Sequence, residues 1–307
     1  MCFIGEHLLE ALCSRGLLLY LCSMFPFQNS RVDTIQSELI GHGFEFDMLR
    51  DDLIHPIVSG NKWRKLKYII QFAQENAYKQ LVTFGGAYSN HLVATAFAGH
   101  YFGLQTVGFV RGDEERALNH YELLCVENGM QLIHVDRTAF RNKEVLFNTH
   151  FSEADKALFV SEGGDHPLAL PGCAEILNEL NKSYDFIVLS MGTGTTMEGI
   201  VGEVQKRGLP TKVLGISSLK NNFDLDKKLS KYDAQYYQIY HDYHRGKYAK
   251  SDDALLQFIN DFYAETGIKT EAVYTGKMLM ALDDLIRNGV IGSHHRVLCV
   301  HTGGWMG

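Results

Sequence analysis

The chain has 307 residues and a net charge of −7 at pH 7, and its basic residues are scattered along its length. A nucleic-acid-binding protein usually presents a clustered basic face, so these features argue against a nucleic-acid partner. Hydrophobic residues make up 46% of the chain and charged residues 21%, which predicts a globular protein with a large buried core.

The first predicted segment is an N-terminal extension over residues 1–34. Its apolar run, Leu17–Cys22, is too short to span a bilayer, and Glu6 and Glu10 precede it where a signal peptide carries positive charge. We therefore expect no membrane partner and a dispensable extension, either helical or translated upstream of a natural start at Met24. Six cysteines without a CxxC pair and the lack of an HExxH motif predict reduced thiols, a cytoplasmic location and no metal site.

Residues 32–58 are predicted to form a helix followed by short strands, and strands then alternate with helices. The predicted strands cover residues 80–84, 105–110, 131–135, 157–161, 185–190, 212–216, 238–241 and 296–300. Besides the helix that begins near Lys62, the predicted helices cover residues 91–100, 114–128, 170–180, 252–266 and 276–288. Strands with near-continuous apolar runs between helices predict an α/β fold with parallel sheets, and the length favours two sheets.

The segment at residues 59–66 combines a turn with the first turn of a helix. Three consecutive residues can cap this helix: Ser59, Gly60 and Asn61. Lys62, Arg64 and Lys65 crowd the positive end of the helix, where acidic residues are usual. One explanation is that these cations point into water, which we expect for Arg64. The other is that an anionic ligand binds here and Lys62 is a reactive amine, because the helix dipole and neighbouring cations favour loss of its proton.

Four glycine-rich turns follow predicted strands: GGAYSN, SEGGD, MGTGTTMEG and HTGG. In α/β folds, ligands bind beyond the carboxyl ends of the strands. The strongest candidate is Gly192–Thr196, where glycines expose backbone N–H groups, threonines add hydroxyl donors and the next helix presents its positive end. This combination predicts a phosphate cradle, and a structural turn is the alternative. Ser89 and Asn90 are either a turn and cap or contacts to a cofactor.

A reactive lysine beside a phosphate cradle, without a nicotinamide-binding fingerprint, points to pyridoxal phosphate. The motifs SGNKWRKL, GGAYSNH, SEGGDHPLALPG, MGTGTTMEG, AVYTGK and HTGG resemble those of the tryptophan synthase β superfamily. Within it, the chain is similar to the 1-aminocyclopropane-1-carboxylate deaminase and D-cysteine desulfhydrase family from about Ile35 to the end. The resemblance implies a homodimer and two three-layer domains with parallel-rich sheets, known as fold type II. Residues 35–75 and 173–307 would form the large cofactor-binding domain and residues 76–172 the small one.

The resemblance also implies a role for each matching residue. Lys62 would form a Schiff base with the cofactor, Lys65 would reach its phosphate and Asn90 would bind its ring hydroxyl. The phosphate would be wrapped by five loop residues: Gly192, Thr193, Gly194, Thr195 and Thr196. The catalytic and substrate-facing residues would be Ser89, Asn90, His91, Tyr248 and Tyr274. One departure is Tyr88, where many members have glutamine.

Two further cofactor-binding positions separate the activities within this family. The deaminases resemble one another in having glutamate after the tyrosine of VYxGK and leucine in HxGG, whereas this chain has Thr275 and Thr302. A glutamate keeps the pyridine nitrogen of the cofactor protonated, and a threonine hydroxyl cannot supply a full charge. Opening a cyclopropane ring needs the stronger electron sink, whereas a thiolate leaves more readily because a free thiol ionises at about pH 8.5.

The threonines therefore favour α,β-elimination on a small amino acid, with D-cysteine as the first candidate and pyruvate, ammonia and sulfide as products. The alternatives are a 1-aminocyclopropane-1-carboxylate deaminase that gives 2-oxobutyrate and ammonia, or a related amino-acid deaminase or racemase. A catalytically silent protein that binds pyridoxal phosphate is a further alternative of a different class.

Overall fold

The computed structural model of the chain describes residues 30–112, 116–220, 222–246 and 251–304. Most of the predicted N-terminal extension, residues 1–29, and the predicted catalytic residue Tyr248 lie outside these ranges. The helices within them include none that is both long and apolar enough to cross a membrane. The homodimer implied by the resemblance stays a prediction.

Strands of the described ranges form two sheets. In chain order they are β1 (Val32–Gln36), β2 (Glu45–Leu49), β3 (Gln80–Gly86), β4 (Gln105–Arg111), β5 (Met130–Val135), β6 (Ala157–Phe159), β7 (Phe186–Met191), β8 (Lys212–Ser217), β9 (Tyr237–Tyr240) and β10 (Val297–Val300). The larger sheet has the order β1-β2-β10-β7-β8-β9 and the smaller sheet β5-β4-β3-β6. Apart from the antiparallel pair β1 and β2, neighbouring strands in both sheets are parallel.

Helices connect most of these strands, as parallel pairing requires. In chain order they are α1 (Asn61–Glu75), α2 (Asn90–Tyr101), α3 (His120–Glu127), α4 (Lys143–His150), α5 (Leu170–Ala174), α6 (Thr195–Arg207), α7 (Asp224–Leu229), α8 (Asp253–Thr266) and α9 (Thr275–Arg287). The architecture confirms the predicted α/β class with parallel-rich sheets.

The helix predicted within residues 32–58 is wrong. Residues 32–36 form an antiparallel pair with residues 45–49, in which Val32 lies opposite Leu49. The connection turns through three consecutive residues with left-handed backbone, Gly41, His42 and Gly43, which a helix cannot accommodate. The conformation of this segment depends on pairing between two separate strands, which local periodicity does not reveal.

The helix predicted over residues 114–128 is shorter in the structure, because residues 116–119 are not helical and α3 begins at His120. Asn119 is its N-cap and accepts the backbone N–H of Tyr121 at 2.8 Å and of Glu122 at 3.2 Å. The Glu122 carboxylate in turn accepts the backbone N–H of Asn119 at 3.0 Å. This reciprocal capping box fixes the first residue of the helix, whereas the apolar pattern alone suggests an earlier start.

The apolar face of α1 packs on the smaller sheet. Leu66, Ile69 and Ile70 share a hydrophobic core with Leu81 of β3 and Leu158 of β6. The predicted boundary at residue 75 placed this helix with the larger sheet, and the domain boundaries stay a prediction. The packing of α1 brings its first turn beside the turns that follow β7 and β10.

Arg64 does not point into water, so that expectation is wrong. Its side chain is 3% exposed and forms a bidentate ion pair with the fully buried Asp51, with both N–O distances 2.6 Å. Glu179 pairs with the same guanidinium group at 2.8 Å. Removing one partner of such a buried pair leaves an uncompensated charge, which typically costs about 3–5 kcal/mol. Arg64 is therefore needed to neutralise the buried Asp51 at the base of the lysine turn.

Candidate active site

A cavity of about 660 Å³ opens at the carboxyl ends of the strands. Residues at or just after the ends of β3, β4, β7 and β10 line it, together with the first turn of α1. Its wall includes most of the residues singled out in the sequence: Lys62, Lys65, Ser89, Asn90, His91, Gly192, Thr193, Gly194, Thr196, Tyr274 and Thr302. The fold therefore brings motifs that are far apart in the chain around one space.

The lysine turn reaches this cavity through a close backbone contact. Gly60 is the N-cap of α1, with φ of 63°, and a Cβ atom at this position would overlap the carbonyl group of Thr302. The backbone N–H of Asn61 donates to that carbonyl at 3.1 Å, and its side-chain Nδ2 donates to Oγ1 of Thr196 at 3.0 Å. A glycine is required here because it alone permits this approach.

Lys62 has the electrostatic properties of a reactive amine. Its Nζ donates to Oδ1 of Asn61 at 2.9 Å. Burial, followed by the charge of Lys65, lowers the pKa of Lys62 to about 7. A large fraction of this side chain is therefore neutral at neutral pH, which is the form that attacks a carbonyl carbon.

Lys65 bridges α1 and the loop after β7. Its Nζ donates to the carbonyl oxygen of Gly163 at 2.9 Å and lies 3.5 Å from Oγ1 of Thr193. Burial lowers its pKa, and the charge of Lys228 adds to this effect. A cation in this position is suited to a phosphate group in the adjoining loop, which would favour its charged form.

The predicted phosphate loop, Gly192–Thr196, leads directly into α6. Gly194 is the N-cap of this helix with φ of 82°, and the helix begins at Thr195. Thr196 lines the cavity, but Thr195 does not. The hydroxyl group of Thr195 donates instead to the carboxylate of Asp165 at 2.8 Å. The side chain of Thr195 is therefore bound to Asp165 and does not face the cavity.

A cluster of charged residues, Lys228, Asp165 and Glu198, contacts this loop. The Lys228 ammonium group forms an ion pair with Asp165 and donates to the carbonyl oxygen of Thr193 at 3.1 Å. Glu198 lies 3.4 Å from the same ammonium group. This contact supplies a cationic donor to the carbonyl oxygen of Thr193, which lowers its repulsion of a nearby anion.

The N-terminus of α2 faces the cavity from the smaller sheet. Ser89 is its N-cap and accepts the backbone N–H of Leu92 at 3.3 Å, so its own hydroxyl proton is available to a ligand. Nε2 of His91 lies 2.8 Å from Oγ1 of Thr83, and Nδ1 has no hydrogen-bond partner among the described residues. Burial and the charges of Lys62 and Lys65 hold the pKa of His91 well below its usual value, so the imidazole is neutral.

The third side of the cavity carries Tyr274 and one member of the threonine pair, Thr275 and Thr302. The Tyr274 ring lies against Gly192, where a Cβ atom would be 3.3 Å from its hydroxyl oxygen. Thr302 lines the cavity, and its Oγ1 is 3.2 Å from Oγ of Ser190. Thr275 is fully buried outside the cavity wall, and within the described ranges its Oγ1 has no hydrogen-bond partner.

These groups fit pyridoxal phosphate. A near-neutral lysine amine suits the aldehyde carbon, and a helix N-terminus with a glycine-rich loop suits the phosphate. Buried polar atoms are normally hydrogen-bonded, so the unpartnered Thr275 hydroxyl and His91 imidazole nitrogen require an explanation. His91 lines the cavity, so a polar ligand there supplies one for its nitrogen, whereas Thr275 lies outside the cavity wall.

Several residues of the site were not found from the sequence. Arg111 and Glu162 line the cavity, as do Ser190 and Asn222. Arg111 ends β4 and could have been found, because ligands bind beyond the carboxyl ends of parallel strands. Asn222 carried no such signal, since it lies in an irregular connection after β8.

Comparisons with known proteins agree with this geometry. Residues 41–303 match the family model described as pyridoxal-phosphate dependent enzyme. A Thermotoga maritima protein named as a candidate 1-aminocyclopropane-1-carboxylate deaminase is 28% identical, over 87% of this chain and 90% of that protein. An Arabidopsis thaliana protein named as a bifunctional mitochondrial D-cysteine desulfhydrase/1-aminocyclopropane-1-carboxylate deaminase is 26% identical, over 87% of this chain and 74% of its own length.

A solved structure of a 1-aminocyclopropane-1-carboxylate deaminase homologue superposes on the chain with a TM-score of 0.76. The two sequences are 26% identical, and the match covers 93% of this chain and 94% of the other. It confirms the predicted fold type II. The family match spans the lysine turn, the phosphate loop and strands β2 to β10. The chain therefore belongs to the pyridoxal-phosphate dependent enzymes.

Proposed function

We propose that this enzyme catalyses α,β-elimination on a small amino acid and that D-cysteine is its first substrate. One D-cysteine and one water give pyruvate, ammonia and hydrogen sulfide. The observation that carries the proposal is the threonine pair, Thr275 and Thr302, at positions where the family's deaminases have glutamate and leucine. A neutral hydroxyl at the cofactor ring favours a substrate whose β-substituent leaves readily as a thiolate.

Pyridoxal phosphate, when bound, supplies an electron sink for the bond that breaks at the substrate's α-carbon. Lys62 would hold the cofactor covalently, and its amine, when free, would move the α-proton; Ser89 with a tyrosine is the alternative group for that proton. The pKa of Lys62, about 7, places both of its protonation states within reach at neutral pH. Lys65 and the phosphate loop hold the cofactor's phosphate, in positions supported by their contacts around Gly163 and Thr193.

The N-terminus of α2 is the proposed site of the substrate carboxylate. The helix dipole favours an anion there, and the Ser89 hydroxyl group has a proton to donate. Asn90 is the first residue of the helix and also lines the cavity. Tyr88, which replaces the glutamine of many members, is 70% exposed and packs edge-on against Tyr121, so it borders the entrance to the carboxylate site.

The second candidate is 1-aminocyclopropane-1-carboxylate deamination. It is supported by the names of the Thermotoga and Arabidopsis relatives, of which the second carries both activities. This reaction would convert the cyclopropane substrate and one water into 2-oxobutyrate and ammonia. The two candidates share the cofactor, the lysine and the carboxylate site, and they differ in the bond that breaks.

Product analysis separates the two candidates. The purified enzyme, loaded with pyridoxal phosphate, is incubated in turn with D-cysteine, L-cysteine, D-serine and 1-aminocyclopropane-1-carboxylate. Pyruvate, 2-oxobutyrate and sulfide are then quantified. We expect pyruvate and sulfide in equal amounts from D-cysteine and little 2-oxobutyrate. Lys62→Ala is the matched control, because it should abolish enzymatic product with every substrate. Dominant release of 2-oxobutyrate would replace the proposal with the deaminase.

A further inference from the structure

Glu271 is a buried carboxylate that no motif in the sequence pointed to. Its side chain is 6% exposed, and both of its oxygens accept backbone N–H groups at the start of α9. Oε1 accepts from Thr275 at 2.7 Å and from Tyr274 at 2.9 Å, and Oε2 accepts from Val273 at 2.6 Å. One side chain therefore fixes the backbone of both the tyrosine and the first threonine of the site.

The same side chain fills the space beside Gly304, in the HTGG turn after β10. A Cβ atom at Gly304 would lie 2.5 Å from Cγ of Glu271, and Gly304 has φ of 140°. Glu271 thus contacts two of the turns that form the cavity, the one with Tyr274 and Thr275 and the one with Thr302. A larger residue at position 304 would separate them.

The contacts of Glu271 favour its ionised form. Both oxygens face N–H donors, and a protonated carboxyl group would direct a hydrogen at one of them. Burial raises the pKa of Glu271 above its usual value, and the hydrogen bonds from α9 and the charge of His301 oppose this shift without cancelling it. Lys62 and Lys277 also interact with it, and in each lysine Glu271 opposes the lowering of the pKa by burial.

We propose that Glu271 is a positioning residue of the active site, which orients Tyr274 and Thr275 and places a negative charge behind the threonine pair. This inference rests on the proposed placement of the cofactor ring beside Thr275 and Thr302. A carboxylate charge is then present at the site without touching the ring. Its effect on the ring is weaker than that of a contacting glutamate, because charge interactions fall with distance.

The simpler role for Glu271 is capping of α9, since acidic groups stabilise a helix N-terminus. Capping alone predicts lower thermal stability in a variant and no other change. Positioning predicts that the cofactor's affinity and the pH dependence of its absorbance change as well. Neither measurement requires turnover of a substrate, so failure of the D-cysteine assignment leaves this test intact.

Two variants separate charge from geometry. Glu271→Gln retains the length and one acceptor oxygen but removes the charge, and Glu271→Asp retains the charge but shortens the reach. Each apoprotein is titrated with pyridoxal phosphate, and the absorbance of the loaded protein is followed across the neutral pH range. For Glu271→Gln we expect affinity at least about tenfold weaker, equivalent to about 1.4 kcal/mol. Its absorbance midpoint should shift to lower pH, because removing a negative charge disfavours the protonated form.

Glu271→Asp should bind the cofactor less tightly than wild type but retain the wild-type midpoint. Asp47→Asn is the matched control, because Asp47 is a 5% exposed carboxylate that accepts from Thr34 and Tyr184 and lies outside the cavity wall. It should lower the melting temperature and leave affinity and midpoint unchanged. If Glu271→Gln behaves like this control, Glu271 only caps the helix. Should Glu271→Gln not fold, wild-type affinity in Glu271→Asp would overturn the proposal.

Discussion

The backbone N–H of Asn61 donates to the carbonyl oxygen of Thr302 at 3.1 Å, which joins the first turn of α1 to the turn after β10. These residues are 241 positions apart in the chain. Asn61 directly precedes Lys62, the proposed Schiff-base lysine, and Thr302 lines the same cavity. The contact depends on Gly60, because a side chain there would overlap the Thr302 carbonyl.

Gly60→Ala should therefore destabilise the fold and weaken cofactor binding. Gly60 has φ of 63° and ψ of −143°, a backbone conformation that costs about 1–3 kcal/mol for a residue with a Cβ atom, and displacement of the Thr302 turn adds to this cost. Gly208→Ala is the matched control, since Gly208 has φ of 60° and a Cβ atom added there would meet nothing within 4 Å. Thermal melts and cofactor titrations of both variants measure the difference. Equal losses in the two variants would show that the close approach contributes nothing.

Lys62 should govern the pH dependence of cofactor capture. The neutral amine is the reactive form, so the rate at which the apoprotein binds pyridoxal phosphate should rise with pH and level off above about pH 7. Lys65→Met should move this profile to higher pH, because it removes a cation that disfavours protonation of Lys62. Borohydride reduction followed by peptide mapping should tag Lys62. Tagging of another lysine contradicts the assignment.

The same pKa shift affects the stability of the apoprotein. The pKa of Lys62 is about 7 in the folded chain, against about 10.4 for an unperturbed lysine. Between these values the unfolded chain binds more protons, so the contribution of Lys62 to the free energy of unfolding increases with pH. The difference in stability between wild type and Lys62→Met should follow this rise. A difference that is constant across the window would mean that the pKa of Lys62 is not lowered.

Sequence patterns predicted the parts of the molecule that depend on local periodicity. The apolar strands β3 and β7 and the amphipathic α1 were found because their buried residues recur at the spacing of a strand or a helix. The ion pairs of Arg64 could not be predicted in this way, because its partners Asp51 and Glu179 are 13 and 115 residues away in the chain. Contacts of this kind depend on the assembled fold.

The phosphate loop shows the same limit within the site. The pattern predicted Thr195 and Thr196 equally as phosphate ligands, since both are threonines at a helix N-terminus. The structure separates them, because Asp165 accepts the Thr195 hydroxyl group and only Thr196 lines the cavity. Asp165 lies in the SEGGD turn, and its contact with Thr195 depends on how the fold places the two turns beside each other.

Thr195→Val and Thr196→Val should differ in their effects on cofactor affinity. A hydrogen bond to a charged group contributes about 1.5–3 kcal/mol, so loss of the Thr196 hydroxyl should weaken binding at least about tenfold. Loss of the Thr195 hydroxyl should mainly lower the melting temperature, because it breaks the contact with Asp165. Equilibrium titration of each apoprotein with pyridoxal phosphate gives the comparison. A larger loss of affinity in Thr195→Val would contradict the separation of the two residues.

The threonine pair, Thr275 and Thr302, should influence the choice of reaction. Thr302→Leu removes the hydroxyl group 3.2 Å from Ser190 and shapes the wall for a cyclopropane ring. Thr275→Glu should raise the proton affinity of the pyridine nitrogen, because an adjacent carboxylate favours the charged form. The double variant should shift the ratio of 2-oxobutyrate to pyruvate production towards the deaminase. Their effects need not add, since both residues are expected at the same ring edge.

Glu271 complicates the change at Thr275, since its carboxylate already accepts the Thr275 backbone N–H at 2.7 Å. Two carboxylates in one buried space raise each other's pKa, and the introduced glutamate would then be partly protonated. Thr275→Glu should therefore shift the product ratio further in a Glu271→Gln background than in wild type. Steady-state assays of each variant on D-cysteine and 1-aminocyclopropane-1-carboxylate measure this ratio. Efficient turnover of the cyclopropane substrate by wild type would show that the threonines do not determine the reaction, because no carboxylate at the ring would then be needed for ring opening.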